Sequence, residues 1–131
     1  MNRELQTQLF KKYPKIFQDR TKSPKETCMC FGLEIGDGWY WLIDRLCEVL
    51  QWNVDENDEP QIVASQVKEK FGGLRFYVNG ATEKQYAQIS LAEHMSYHIC
   101  FNCGSTKNIR QTAIGWVVTL CEDCMKEYLK Q

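Results

Sequence analysis

Four cysteines near the C-terminus have the spacing of a structural zinc site. Cys100 and Cys103 form one C-x2-C pair, Cys121 and Cys124 form a second, and 17 residues separate the two pairs. Zinc accepts four thiolates at the corners of a tetrahedron, and each C-x2-C turn offers two sulfurs on one side of a tight loop. We therefore predict one structural Zn²⁺ on these four residues. A redox C-x2-C motif is the alternative, but it needs only one such pair.

The residues around the cysteines predict how the chain presents them. Gly104 follows the first pair and permits the left-handed turn of a zinc knuckle. Met125, Tyr128 and Leu129 follow Cys124 at helical spacing, so the second pair is predicted on the first turn of a helix, where backbone amides and the helix dipole favour thiolate. A knuckle, a turn or hairpin, and a ligand-bearing helix follow one another in treble-clef zinc folds, which this segment resembles.

Length and composition are those of one folded domain. The chain has 131 residues, of which 44% are hydrophobic and 25% charged. The first 20 residues contain charges throughout and no apolar run, so we expect no signal peptide, no membrane partner and a cytoplasmic location. The seven cysteines agree with a reducing compartment. Cys28, Cys30 and Cys47 lack C-x2-C geometry, and we expect no second metal site there.

The net charge of −1 conceals an uneven distribution. Residues 1–27 carry seven basic and three acidic side chains, residues 28–60 carry one basic and eight acidic, and residues 61–81 carry three basic and one acidic. A strongly acidic middle segment is unfavourable for general nucleic-acid binding, although a local basic face remains able to bind. Solvated surface charge is the simpler interpretation.

Apolar spacing predicts the helices that support the cysteines. One helix is expected over residues 3–13, capped by Asn2, and another begins at the capping box of Thr82 and Gln85. The central helix is expected to start at Asp37, which would cap it, and to end in the polar run 53–60. The predicted core positions are Trp39, Leu42, Ile43, Leu46, Cys47 and Leu50 on the central helix, and Ile89, Ala92, Met95 and Ile99 on the later one.

An alternating run on both sides of Gly72-Gly73 predicts a β-hairpin within residues 61–79. With the two glycines as the turn, the expected cross-strand pairs are Phe71 with Leu74, Lys70 with Arg75, Glu69 with Phe76, Lys68 with Tyr77, and Val67 with Val78. One face is then apolar except for Glu69. The other face, called here the basic face, carries Lys68, Lys70, Arg75 and Tyr77.

The basic face has two interpretations. Like charges that face each other destabilise a sheet unless an anion lies between them, and that anion could be a phosphate, a nucleic acid or an acidic partner. The alternative is an internal ion network with the acidic residues of 28–60, which we slightly favour. Glu69 on the apolar face indicates either a different register or a buried base beside it.

Two histidines lie one turn apart on the later helix. His94 is followed by Met95 rather than by the glutamate that a zinc protease needs, so this pair does not predict a catalytic metal. His98 precedes Cys100 by two residues and is a candidate for a hydrogen bond to a zinc thiolate. An exposed histidine without a role is the simpler interpretation.

Taken together, these motifs resemble a family of small uncharacterised proteins encoded by bacteriophages and prophages. The resemblance covers most of the chain and rests on residues 36–40, on the run QVKEKFGGLRFY at 66–77, and on the paired C-x2-C motifs with the residues 115–116 and 119–120 between them. It implies the cytoplasm of a bacterial host cell. It implies no established activity and no catalytic residue.

The predicted fold is α+β in one domain, 1–131, with an α+β core over 1–99 and an integral treble-clef-like zinc module over 100–131. The leading hypothesis is a non-enzymatic phage accessory protein that binds a host or phage macromolecule, protein or nucleic acid, through the basic face and the zinc module. The alternative is an enzyme or sequestering protein for an anionic small molecule such as a nucleotide. In that case Lys68, Lys70, Arg75 and Tyr77 would line its pocket.

Overall fold

The computed structural model describes residues 1–113 and 115–130. The helices are α1 (Arg3–Lys12), α2 (Tyr40–Glu56), α3 (Glu83–Ser96) and α4 (Glu122–Leu129). One sheet has the strand order β1 (Leu33–Glu34), β2 (Ala64–Lys70), β3 (Gly73–Val78), and a second sheet pairs β4 (Ile109–Gln111) with β5 (Thr119–Cys121). This mixture of helices and small sheets confirms the α+β class. None of the helices in the described ranges combines the length and apolar character needed to cross a membrane.

The main hydrophobic core lies between α1, α2, α3 and one face of the three-stranded sheet. All six predicted core positions, Trp39 just before α2 and five on α2 itself, are at most 5% exposed, which confirms the helical stripe. A second, smaller cluster contains Cys100, Leu120, Cys121 and Met125. Phe101 packs against both clusters and so connects the cysteine segment to the main core.

The first helix and the end of the central helix follow the sequence expectation, because α2 ends at Glu56 within the polar run 53–60, whereas the predicted cap at the start of the central helix is wrong. Asn2 caps α1, because its side chain accepts a 2.9 Å hydrogen bond from the Leu5 amide. Asp37 does not cap α2; its carboxylate instead accepts from the Asn2 backbone amide at 2.7 Å. A turn of 3₁₀ helix precedes α2, and α2 runs on to Glu56 with Asn53 buried inside it. Because Asp37 serves a long-range contact, short-range capping rules mispredicted it.

The capping box of Thr82 and Gln85 is present at the start of α3, but the core stripe of that helix was partly wrong. Met95 is 37% exposed, and Ser96 occupies the buried position instead. The reason lies at the free edge of β3. There the Ser96 hydroxyl accepts from the Leu74 amide at 2.8 Å, and a Glu93 carboxylate oxygen accepts from the Phe76 amide at 2.9 Å. A buried strand edge needs such acceptors.

The hairpin exists, but its predicted register was wrong. The turn is Phe71-Gly72, with φ values of +54° and +87°, rather than Gly72-Gly73. The observed partners are Lys70 with Gly73, Glu69 with Leu74, Lys68 with Arg75, Val67 with Phe76, and Gln66 with Tyr77. Gly73 is needed for packing, because a Cβ there would lie 2.2 Å from Cζ of Tyr97.

The corrected register leaves the membership of each face unchanged. Each partner moves by two positions, and side chains alternate with a period of two, so the same residues remain on the basic face. Glu69 stays on the apolar side near the turn, where its carboxylate accepts a 3.0 Å hydrogen bond from the Gly72 amide. The hydrogen bond from the Gly72 amide, and not a buried base, therefore explains why a glutamate is present on the apolar face at position 69.

Candidate functional site

The four predicted metal ligands lie together. One sulfur from each of Cys100, Cys103, Cys121 and Cys124 lies within 4.8 Å of the other three, and the sulfurs of Cys103 and Cys121 are 3.7 Å apart. A tetrahedral zinc site with Zn–S bonds of about 2.3 Å has S···S edges of about 3.8 Å. The cluster therefore has the size and donor set of a four-thiolate metal site, and it could hold a metal ion.

Local backbone geometry positions each pair of sulfurs. In the first pair the chain reverses at Gly104, whose φ is +82° and whose amide donates to the Cys100 carbonyl at 3.0 Å. In the second pair Cys121 ends β5 and is the N-cap of α4, where its sulfur accepts from the Cys124 amide at 3.5 Å. Both arrangements confirm the predicted knuckle turn and helix start.

Hydrogen-bond donors favour thiolate at Cys100, whereas burial and hydrogen bonds with the neighbouring cysteine side chains raise the pKa of Cys103 and Cys124. Burial alone would raise the pKa of the Cys100 thiol, but backbone hydrogen bonds from Cys103, Cys121 and Asn102 lower that pKa to about 7. The side-chain amide of Asn102 also donates to the sulfur of Cys124 at 3.3 Å. Zinc binds thiolate rather than thiol, so these donors prepare the site for a cation.

The start of α2 packs directly against the first cysteine pair. The Gly38 amide donates to the Phe101 carbonyl at 3.0 Å, and the indole N–H of Trp39 donates to the Ile99 carbonyl at 2.9 Å. A Cβ on Gly38 would lie 2.1 Å from the Cys100 carbonyl oxygen, so only glycine allows this approach. The rings of Trp39 and Phe101 meet edge to face at 4.9 Å. The segment 36–39 is therefore one support of the cysteine site.

The hairpin turn packs against the other side of the same module. The Thr119 hydroxyl on β5 donates to the Gly72 carbonyl at 2.6 Å and accepts from the Gln111 side chain at 3.1 Å. A Cβ on Gly72 would lie 3.0 Å from a Val117 methyl group. The turn and the cysteine module are thus in close contact, and the residues 115–117 are brought alongside β2.

This contact forms a cleft of about 360 Å³ between the hairpin tip and residues 115–117. Lys68, Glu69 and Lys70 line it, together with Phe71 and Trp116, so its two cations are accompanied by one carboxylate. The two aromatic side chains are 71% and 75% exposed. No spacing in the sequence pairs these two rings; the available signal was an aromatic residue beside glycine at a hairpin tip.

The other two predicted binding residues do not line this cleft, although Arg75 is the cross-strand partner of Lys68. Arg75 donates to the Tyr97 hydroxyl at 3.3 Å and to the Leu74 carbonyl at 2.8 Å. Tyr77 is paired with Gln66 farther along the hairpin and is 38% exposed. The basic face is therefore divided, and only its two lysines border the cleft.

The internal ion network is not found among residues 1–113 and 115–130. None of the ion pairs described there involves Lys68, Lys70 or Arg75. The Lys70 ammonium lies 5.7 Å from the centre of the Phe71 ring, and Glu34 is the cross-strand neighbour of Lys68. The two lysines are therefore available to an anion in the cleft.

The remaining candidate residues lie outside the metal cluster. His98 is exposed, and in the described part of the chain its ring makes no hydrogen bond to a cluster sulfur, whereas Asn102 makes one. Cys28 is exposed, Cys47 is buried, and the thiol of Cys30 donates to the Thr27 carbonyl at 3.6 Å.

The resemblance to phage-encoded proteins stays a prediction, and the function has to be inferred from the residues of this chain. No protein-family model, no curated protein and no solved structure matches it.

Proposed function

We propose that this chain is a zinc-stabilised, non-enzymatic binding protein whose cleft takes single-stranded nucleic acid. The observation that carries the proposal is the pairing of two exposed aromatic rings, Phe71 and Trp116, with two lysines free of ion pairs, at one cleft. Proteins that bind single strands combine stacking platforms for bases with cations that follow the phosphates. The cleft offers both within a few side chains.

One Zn²⁺ on Cys100, Cys103, Cys121 and Cys124 has a structural role in this proposal. Four thiolates complete a tetrahedron and leave no open position for substrate, and metal binding supplies folding free energy that a short segment lacks. The order of knuckle, two-stranded sheet and helix supports a treble-clef arrangement. The metal would hold residues 115–117 beside the hairpin and so maintain the cleft.

The charge balance favours a short, weakly held ligand over a long duplex. The whole chain has a net charge of −1, so attraction to a polyanion is confined to the neighbourhood of the two lysines. An aromatic ring can stack only on a base that is not already stacked in a duplex. We therefore expect micromolar affinity and little sequence preference.

A small anionic ligand is the second candidate, and cleft size is what favours it. A volume of about 360 Å³ lies at the lower end of the range for small-molecule sites, about 300–1,000 Å³. A mononucleotide could then use one ring and one lysine. Ligand length separates the two proposals, because affinity should rise with the number of nucleotides only for a strand-binding site.

The test is fluorescence anisotropy with labelled single strands of about ten nucleotides, within the usual site sizes for such proteins. Trp116→Ala should weaken binding about tenfold, because base stacking contributes about 1–3 kcal/mol per base. Phe71→Asn should act similarly, and asparagine tolerates the positive φ of the turn. Lys70→Ala should also weaken binding and should reduce its salt dependence, because a phosphate contact is lost. The matched controls are Lys84→Ala and Tyr86→Ala on α3, both exposed and remote from the cleft.

Absence of binding to every strand tested, or equal binding by the cleft and control variants, would overturn the proposal. Competition by a mononucleotide as strong as that by the ten-nucleotide strand would instead support the small-ligand candidate. Affinity should also fall with salt, with a slope of about −0.7 per phosphate neutralised.

A further inference from the structure

One face of α2 is exposed although it carries two tryptophans. Trp41, Arg45, Glu48 and Trp52 are 4, 3 and 4 positions apart and are all exposed, so they form a single stripe along the helix. Both tryptophans are 58% exposed, and Val49 beside them is 42% exposed. Large aromatic side chains at this level of exposure are typical of the central residues of protein interfaces.

A shallow groove borders this stripe on the side of α3. Its walls are almost wholly apolar and its volume is about 170 Å³. The lining residues are Trp41, Leu42, Arg45, Leu46, Val49, Gln88, Leu91, Ala92 and Met95. Leu91 is 63% exposed, so an exposed apolar groove lies directly beside the stripe, whose two tryptophans flank the charged pair Arg45 and Glu48.

The order of residues along the stripe is self-complementary. Reversing the helix direction places Trp41 opposite position 52 and Arg45 opposite position 48, so each aromatic side chain meets an aromatic one and each charge meets its opposite. We infer that α2 packs antiparallel against α2 of a second copy of this chain. The twofold axis passes between positions 46 and 47, Trp41 packs on the partner's Trp52, and Arg45 pairs with the partner's Glu48.

An unpaired polar atom in the groove agrees with this arrangement. Gln88 Oε1 is buried, and within residues 1–113 and 115–130 it has no hydrogen-bond partner. The indole N–H of tryptophan is a donor only, and neither Trp41 nor Trp52 uses it in the described structure. An indole from the second copy that enters the groove beside Trp41 brings the missing donor to Gln88.

Charge complementarity favours a second copy over a foreign helix. Arg45 and Glu48 already form a 3.0 Å ion pair within one chain, so the stripe is neutral overall and attracts neither acidic nor basic partners. Only a helix that carries the same two charges in reverse order matches it at both positions. A 17-residue helix is about 25 Å long, so an interface built on one helix pair is small, and we expect a micromolar dimer.

Sedimentation velocity at low-micromolar to submillimolar concentration tests the inference. Wild type should show a reversible monomer–dimer equilibrium, and Trp52→Ala should weaken it at least tenfold. Tyr86→Ala is the matched control, because that ring is 46% exposed but lies outside the stripe and the groove. A wild-type chain that stays monomeric throughout, or a Trp52→Ala variant that dimerises equally well, would refute the dimer.

Charge reversal separates self-association from other uses of the surface. Glu48→Arg alone and Arg45→Glu alone should each remain monomeric, because each places like charges opposite each other across the axis. An equimolar mixture of the two variants should form a heterodimer, since every cross-axis pair is then opposite in sign. If Arg45→Glu fails to fold because Asp44 loses its 2.8 Å partner, Glu48→Arg and Trp52→Ala still decide the question. This dimer does not depend on the nucleic-acid proposal.

Discussion

A buried hydroxyl links the hairpin to the cysteine module. Thr119 is 1% exposed, and its hydroxyl lies between the Gly72 carbonyl and the Gln111 amide. Both neighbours would lose a partner if the hydroxyl were removed. Buried polar groups without partners are costly, so the contact between the two halves of the cleft depends strongly on this side chain.

Thr119→Val should destabilise the protein by about 1–3 kcal/mol, because valine keeps the shape of threonine but leaves the Gly72 carbonyl unpaired. Denaturant unfolding measures the change. Thr106→Val is the matched control, since Thr106 is exposed and should change stability by less than about 0.5 kcal/mol. Equal stability of the two variants would contradict the role of the hydroxyl.

The carboxylate of Asp44 makes folding stability depend on pH. Burial alone would raise the pKa of Asp44, but hydrogen bonds from Lys12, Arg45 and Tyr13 outweigh it and hold the pKa below its ordinary value. A lowered carboxyl pKa adds stability above the unfolded-state pKa, about 3.9, and this stability is lost as the pH falls through the folded-state pKa.

Asp44→Asn should therefore destabilise the protein by about 1–2 kcal/mol at neutral pH, since hydrogen bonds to a charged group are lost. The difference from wild type should begin to shrink as the pH falls below about 4 and should disappear only when the pH falls below the lowered folded-state pKa of Asp44. Thermal unfolding of both proteins across pH 3–7 measures it, with Asp58→Asn, an exposed position, as the control. A difference that stays constant with pH would show that the charge is not involved.

At the scale of elements, the approach of the α2 start to the knuckle requires glycine. Gly38→Ala would place a methyl group 2.1 Å from the Cys100 carbonyl oxygen, and both groups belong to constrained backbone. We expect a loss of more than about 2 kcal/mol in stability, in the range of overpacked core positions. We also expect weaker zinc binding, because the knuckle must shift.

Gly80→Ala provides the comparison for Gly38→Ala. Gly80 has a φ of +73° but no neighbour that a Cβ would meet, so its replacement costs only the strain of a left-handed residue, about 1–2 kcal/mol. Zinc titration with a chromophoric chelator should distinguish the two variants, because only Gly38→Ala should bind zinc more weakly. Unchanged metal affinity in Gly38→Ala would mean that the knuckle does not depend on the α2 start.

For the whole molecule, the separation of the two hydrophobic clusters predicts a local response to metal loss. Within the described residues, the main core contains none of the four clustered cysteines and contacts their segment through Ile99 and Phe101. The smaller cluster, in contrast, contains Cys100 and Cys121 themselves. Removal of zinc should therefore disorder residues 100–130 before it unfolds α2 and the three-stranded sheet.

Cys103→Ser should lose the metal and expose the C-terminal amides to rapid hydrogen exchange, because one missing ligand opens a closed site. Cys28→Ser is the matched control, since Cys28 is exposed and lies outside the cluster. Full retention of metal and of melting temperature by Cys103→Ser would contradict the zinc assignment. Rapid exchange throughout the chain would instead show that the core depends on the metal.

The sequence alone determined the features that depend on short-range spacing. The four-cysteine cluster follows from two C-x2-C pairs, and the left-handed turn after the first pair and the helix start follow from residues within five positions of them. The core stripe of α2 and the caps at Asn2 and Thr82 were also predicted correctly. One helical turn or one tight loop sets each of these features, so local sequence contains the necessary information.

Only the tertiary structure decided how distant segments use the same residues. Asp37 binds Asn2 rather than its own helix, Gly73 makes room for Tyr97 rather than forming the turn, and Thr119 binds Gly72. These contacts join positions 24 to 47 residues apart. The cleft exists because such contacts bring residues 115–117 beside the hairpin. Its two aromatic rings share no periodicity in the chain, so no spacing rule could have paired them.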